Sequence, residues 1–159
     1  MQPMTLEQVI RTYADTVYRL ARAHLQNLSD AEDVFQDVFL CYAEKAPDFQ
    51  DEEHRKAWLL RVTINRCRAH YRSGWLRRIV PIEAAANAAT PAFMDHPLSD
   101  ALAQLPAKYR TVIHLHYYEN YSTEEISYVT GQQASTVRSQ LTRARGMLRE
   151  VLEGRNANV

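Results

Sequence analysis

Three groups of side chains have types and spacings that suit recognition chemistry. Arg61, Asn65, Arg68 and Arg72 fall at i, i+4, i+7 and i+11, which on a helix lines up three guanidinium groups and an amide along one edge. Guanidinium groups hold phosphate oxygens and stack on flat rings, and an amide can meet the edge of an unpaired base. Near the C-terminus, Thr136, Arg138, Ser139, Gln140, Thr142 and Arg143 crowd one short stretch and read as its exposed positions. Arg forks onto guanine, Gln onto adenine, and Ser or Thr donates to phosphate or base. The third group is Asp33, Gln36, Asp37, Leu40 and Glu44, an acidic face on a helix whose opposite face is committed to the core.

Covalent chemistry finds no comparable set, because no nucleophile, base and orienting group converge. Cys67 and His70 stand at i, i+3, a spacing that arises readily by chance. Cys41 and Cys67 belong to no CxxC pair and read as buried free thiols. His114 and His116, at i, i+2, would point their rings roughly 200° apart on a helix. No catalytic residue, metal or cofactor is expected.

The elements that must position these groups are helical. Leu6, Val9, Ile10, Tyr13, Val17, Leu20 and Ala21 recur every three or four positions, as do Ala31, Val34, Phe35, Val38, Phe39 and Tyr42. Ser29 stands three before Glu32, a predicted capping box for the second helix, and Pro47 stops it. The run from His54 to Arg72 reads as a helix buried between neighbours, with Trp58, Leu59, Val62 and Ala69 on one side and Ala57, Leu60, Ile64, Cys67 and Tyr71 on the other. Residues 73–97, with Gly74, Pro81, Pro91 and Pro97, read as a linker, with room for one helical turn at Ala84–Ala89. Stretched out, 25 residues reach about 80 Å.

Beyond it, Leu98, Ala101, Leu102 and Leu105 begin a second helical set, and Pro106 opens a helix to about Tyr118. Ser122 and Glu125 form another capping box, Gly131 suits a left-handed turn, and Ser135 is placed to cap a last helix that buries Val137, Leu141, Ala144, Leu148 and Leu152. A short helix, a Gly turn and a longer Arg-bearing helix is the layout of a helix-turn-helix, whose second helix enters the major groove. No stretch alternates with period two. The fold class is all-α, two small helical domains on a flexible tether.

Charge is zero in total and sharply divided along the chain. Residues 1–54 sum to −7, 55–80 to +8, 81–135 to −4 and 136–159 to +3. Blocks of opposite sign suggest separate faces for separate partners. Apolar residues at 46% supply a core and argue against disorder. The longest uncharged run, Ile126–Val137, is too short to span a bilayer, and the N-terminus shows no basic-then-apolar leader, so a soluble, cytoplasmic protein is expected.

These residues resemble the bacterial RNA polymerase sigma factors of the extracytoplasmic-function type, from about Val9 to Leu152. The resemblance is carried by Asp30-Ala31-Glu32-Asp33-Val34-Phe35-Gln36-Asp37-Val38-Phe39, by Trp58-Leu59-Leu60-Arg61-Val62 with Asn65, and by Leu105-Pro106. Tyr121-Ser122-Thr123-Glu124-Glu125-Ile126 and Thr136-Val137-Arg138-Ser139-Gln140-Leu141, followed by Arg143-Ala144-Arg145, complete it.

It implies a subunit that binds core RNA polymerase and directs promoter-specific initiation, with residues 1–75 as region 2, 76–97 as linker and 98–159 as region 4. Asp33, Gln36, Asp37 and Leu40 would dock on the polymerase. Phe49 and Asn65 would sit near a pocket for a base extruded from the melted minus-ten element, with Arg61, Arg68 and Arg72 along its phosphates. Thr136, Arg138, Ser139, Gln140, Thr142 and Arg143 would read the minus-thirty-five duplex, Gln140 standing where a basic residue is common. An anti-sigma protein is the usual further partner. The competing reading is a free-standing helix-turn-helix regulator that binds duplex DNA without polymerase.

Overall fold

The computed structural model describes the backbone of residues 3–77 and 97–157, and the side chains of residues 3–70 and 100–154. Helix α1 (Leu6–Leu25) opens on a capping box in which Thr5 and Gln8 each bind the other's backbone N–H. Gln26 ends it at φ 61°, and Asn27 at once caps α2 (Leu28–Lys45) by accepting from the Asp30 N–H at 3.0 Å. The box predicted at Ser29 and Glu32 therefore does not form, because the cap lies two residues earlier. Helix α3 (Glu52–Arg77) starts with the Asp51 carboxylate on the His54 N–H at 2.7 Å. It runs past Ser73 and Gly74 instead of stopping at Arg72; one interior glycine costs a helix only about 1 kcal/mol. The predicted tether falls almost wholly on residues 78–96, and these, with the Ala84–Ala89 turn, lie outside the described residues.

The second set comprises α4 (Pro97–Ala103), α5 (Ala107–Ile113) continuing into a π-helical turn (His114–Tyr118), α6 (Thr123–Thr130) and α7 (Ala134–Ala157). Ser122 and Glu125 form the predicted capping box, and Gly131 closes α6 at φ 75°, the left-handed region where glycine carries no Cβ penalty. Ser135 does not cap α7, which starts one residue earlier with the Val137 N–H on the Gln133 carbonyl at 3.0 Å. Among the described residues there is no strand, so the all-α expectation holds.

Two cores follow from these stripes. Val9, Tyr13, Val17 and Ala21 of α1 pack with Ala31, Val34, Val38 and Phe39 of α2 and with Leu59 and Cys67 of α3. Tyr109, Val112, Leu115, Ile126, Val129, Val137, Leu141 and Ala144 build the other, and Leu20, Leu60 and Ile64 enter it from α1 and α3. Helix α3 is thus buried between neighbours, although Cys67 sides with Leu59 and Ala69 is exposed.

The sequence reading separates the modules; in the structure they share a core. Polar contacts reinforce it. The buried Arg110 guanidinium donates from Nε to the Ala23 carbonyl at 2.7 Å, from Nη2 to the His24 carbonyl at 2.5 Å, and from Nη1 to the Leu105 carbonyl. The carbonyls of a helix's last turn lack partners within the helix and carry partial negative charge, so α1 ends on the cation that suits it. His24 Nδ1 lies 2.6 Å from Thr111 Oγ1 in the same buried seam.

This seam makes stability depend on pH. Burial, with Arg110 and Arg68 nearby, lowers the His24 pKa from 6.5 to about 4. A depressed histidine is neutral in the fold and binds a proton more readily once exposed. Its contribution is therefore complete above pH 6.5 and is lost as pH falls toward 4, by up to about 3 kcal/mol. Thermal melts over this range should show the decline, and His24→Gln should flatten it in part. His114, also lowered to about 4 chiefly by burial, should contribute in the same direction.

Candidate nucleic-acid interface

The face of α2 opposite the core is fixed by Val34 and Val38, both fully buried. That rotation turns Asp33, Gln36 and Asp37 outward around Leu40, which at 60% is the most exposed large apolar side chain among the described residues. An apolar anchor ringed by charge is the pattern of a protein interface with a polar rim. At the start of α2, Asp30 Oδ1 meets His70 Nε2 of α3 at 2.8 Å. Asp33 joins them in the one group of described residues whose ligand atoms, within 4.8 Å of one another, could take a metal. The Asp30–His70 hydrogen bond accounts for two of the three as a strut between helices. Burial pushes the Cys67 thiol up to about 12, leaving it no thiolate to act as a nucleophile with His70.

Along α3, Arg61 and Asn65 are exposed and Arg68 is half-buried, while the Arg72 side chain lies outside the described residues. Two of these arginines face α6 directly. The Arg61 guanidinium lies over the Tyr128 ring, 5.0 Å from its centroid, and Arg68 Nη1 donates to the Thr130 carbonyl at 2.7 Å. Phe49 is held elsewhere, stacked at 6.2 Å on Tyr42, edge-on to Trp58 at 5.8 Å and under the Arg55 guanidinium at 5.3 Å. Seven residues of helix, roughly 10 Å, separate Trp58 from Asn65. Trp58 and Asn65 share one face of α3, so Phe49 sits at the start of the face on which Asn65 lies two turns further along.

Behind the Gly131 turn, Val137, Leu141 and Ala144 are buried and orient α7. Thr136, Arg138, Ser139, Thr142 and Arg143 consequently face outward. Gln140 does not. It is 8% exposed, and its Oε1 has no hydrogen-bond partner among the described residues. The reading of Gln140 as an exposed position is thus corrected. It lies three residues after Val137 and four before Ala144, on the buried stripe. Arg145 Nε donates to the Tyr117 hydroxyl at 2.5 Å, away from the outward face.

Arg110, His24, Tyr128 and Thr130 are missing from the sequence reading. For Arg110 a signal exists, since it is a lone cation inside the otherwise uncharged run Tyr109–His116. The other three depend on contacts between modules that no local pattern encodes.

The sigma-70 region 2 family matches residues 9–77, and the sigma-70 region 4 family matches residues 96–148. The ECF RNA polymerase sigma factor SigW of Bacillus subtilis is 29% identical over 162 residues, covering 91% of this chain and 87% of that one. The RNA polymerase sigma-E factor of Streptomyces avermitilis is 34% identical over 158 residues, covering 96% and 88%. The chain belongs to the extracytoplasmic-function sigma factors. As a sigma factor it directs promoter-specific transcription initiation by RNA polymerase. Sigma factors are transcription initiation factors. CnrH, solved in complex with the cytosolic domain of CnrY, superposes on this sigma factor with a TM-score of 0.66 and 27% identity over 94% of this chain and 88% of that one. Among the described residues, no helix of the sigma factor is long and apolar enough to cross a membrane.

Proposed function

We propose that this sigma factor grips core RNA polymerase with Asp33, Gln36, Asp37 and Leu40, and selects promoters with two basic ridges. Before α3 and along it, Phe49, Arg61, Asn65, Arg68 and Arg72 hold the melted minus-ten strand, Phe49 and Asn65 at the extruded base and the arginines on its phosphates. On α7, Thr136, Arg138, Ser139, Thr142 and Arg143 read the minus-thirty-five duplex, and Gln140 supports them from beneath. Residues 1–75 and 98–159 act as the two functional units, with 76–97 as tether. The protein works in the cytoplasm, and an anti-sigma protein restrains it.

The observation that carries this reading is the outward acidic face of α2 around the 60%-exposed Leu40, a surface without a folding role in a chain of this family. Purified core enzyme with the sigma factor should initiate at a small set of sites, revealed by sequencing the transcripts. Initiation no different from core alone would reject the reading.

Geometry adds a requirement. A packed chain of 159 residues has a radius of gyration of about 15 Å, whereas two duplex turns span roughly 70 Å. The modules must part before both elements are read. On α7, Arg138→Ala should cost about 1 to 3 kcal/mol of discrimination at one base pair, and Gln140→Ala should leave specificity unchanged. Mobility-shift titrations against single-base promoter variants would check both.

A further inference from the structure

In the free chain, Arg61 and Arg68 of the strand-binding edge of α3 are already engaged. Four basic groups of the N-terminal module, Arg19, Lys56, Arg61 and Arg68, are met by a flat ring or a negative group of the C-terminal one. Arg19 lies over Tyr118 at 5.2 Å, and Lys56 lies over Tyr121 at 5.5 Å while pairing with Glu119 at 2.8 Å. Arg61 lies over Tyr128 at 5.0 Å, and Arg68 bonds the Thr130 carbonyl at 2.7 Å. The charge blocks agree, since Lys56, Arg61 and Arg68 belong to the +8 stretch 55–80 and their partners Glu119, Tyr121, Tyr128 and Thr130 to the −4 stretch 81–135.

The chemistry of the covering groups is specific. An unpaired nucleotide offers an arginine a π face to stack on and a phosphate oxygen to accept its N–H groups. Helix α6 offers the same pair. Tyr128 presents a ring that is 37% exposed, lying over a guanidinium instead of in the core. Thr130 is the last residue of α6, where carbonyls lack helical partners and carry the negative end of the helix dipole. Gly131, in the left-handed conformation, turns the chain away immediately after it.

We infer that α6 acts as an internal imitation of single-stranded DNA, with the Tyr128 ring in the place of a base on Arg61 and the Thr130 carbonyl in the place of a phosphate oxygen on Arg68. Closure of the two modules and strand binding then exclude each other. The free sigma factor is held from melted DNA until the modules part, and its apparent affinity is reduced by the small fraction that is open. The inference rests on the assignment of the α3 edge to the minus-ten strand, and its test separates the two.

The test is fluorescence anisotropy of a labelled fifteen-nucleotide oligo(dT) with the full-length protein at about 50 mM salt, where backbone contacts and stacking are strongest. Tyr128→Ala, at a partly exposed position, should bind about three- to five-fold more tightly than wild type. Tyr128→Phe, which keeps the ring, should match wild type. In an Arg61→Ala background, Tyr128→Ala should bring no gain. Equal binding by wild type and Tyr128→Ala would overturn the imitation while leaving the α3 edge in place. A gain that persists without Arg61 would also overturn it, since the ring would then merely hold the modules together. No binding by any form would remove the strand-binding edge itself, and the inference with it, leaving the polymerase and duplex surfaces standing.

Discussion

Asp33→Arg is expected to weaken binding to core RNA polymerase by at least about 30-fold, and Asp33→Arg with Leu40→Ala by more. Reversing a charge inside a complementary interface typically costs about 2 to 5 kcal/mol, and truncating a central apolar anchor adds about 1 kcal/mol or more. Neither side chain is buried, and the strut between α2 and α3 is made by Asp30 and His70. The melting temperature should therefore stay close to wild type, because exposed substitutions usually change stability by less than about 0.5 kcal/mol. Binding of minus-thirty-five duplex by the same variant should be unchanged, as α7 is untouched. Co-purification with core enzyme, with duplex binding measured in parallel, resolves these expectations. Retained polymerase binding would show that α2 is only a solvated face.

Arg110→Ala should be the most damaging single substitution for the packing of one module on the other. It would leave the carbonyls of Ala23, His24 and Leu105 without their donor, in a site where Arg110 itself is only 7% exposed. Buried acceptors stripped of a charged donor cost about 1 to 3 kcal/mol each, less what relaxation and entering water recover, so a loss of about 3 to 5 kcal/mol is expected. Arg110→Lys should recover only part of it, because a single ammonium cannot reproduce a planar fork aimed at three carbonyls. Urea denaturation gives the measurement. A loss below about 1 kcal/mol would mean that the two modules do not depend on this seam.

The helices and their buried stripes were legible because each amphipathic face repeats at helical spacing over three or more turns. Val9, Val17, Val34, Val38, Val137 and Ala144 all lie in the core where the periodicity puts them. Caps were legible where one residue dominates, as at Ser122 with Gly131, and misread where a competitor stands nearby, as Asn27 does for Ser29. The outward face of α2 followed directly from its buried one. Gln140 was misread because side-chain chemistry was weighed above its position on the buried stripe. The packing of α6 on α3 could not be read at all. It joins residues more than sixty positions apart, through groups such as the Thr130 carbonyl that every residue carries.

A chain closed on itself when free must open to serve the polymerase. A pair of fluorophores, one at Glu44 at the end of α2 and one at Glu153 on α7, would report the separation of the modules directly. Energy transfer should be high in the free protein, fall when core RNA polymerase is added, and stay low on promoter DNA. Transfer that remains at its free value in a complex actively initiating transcription would contradict the account.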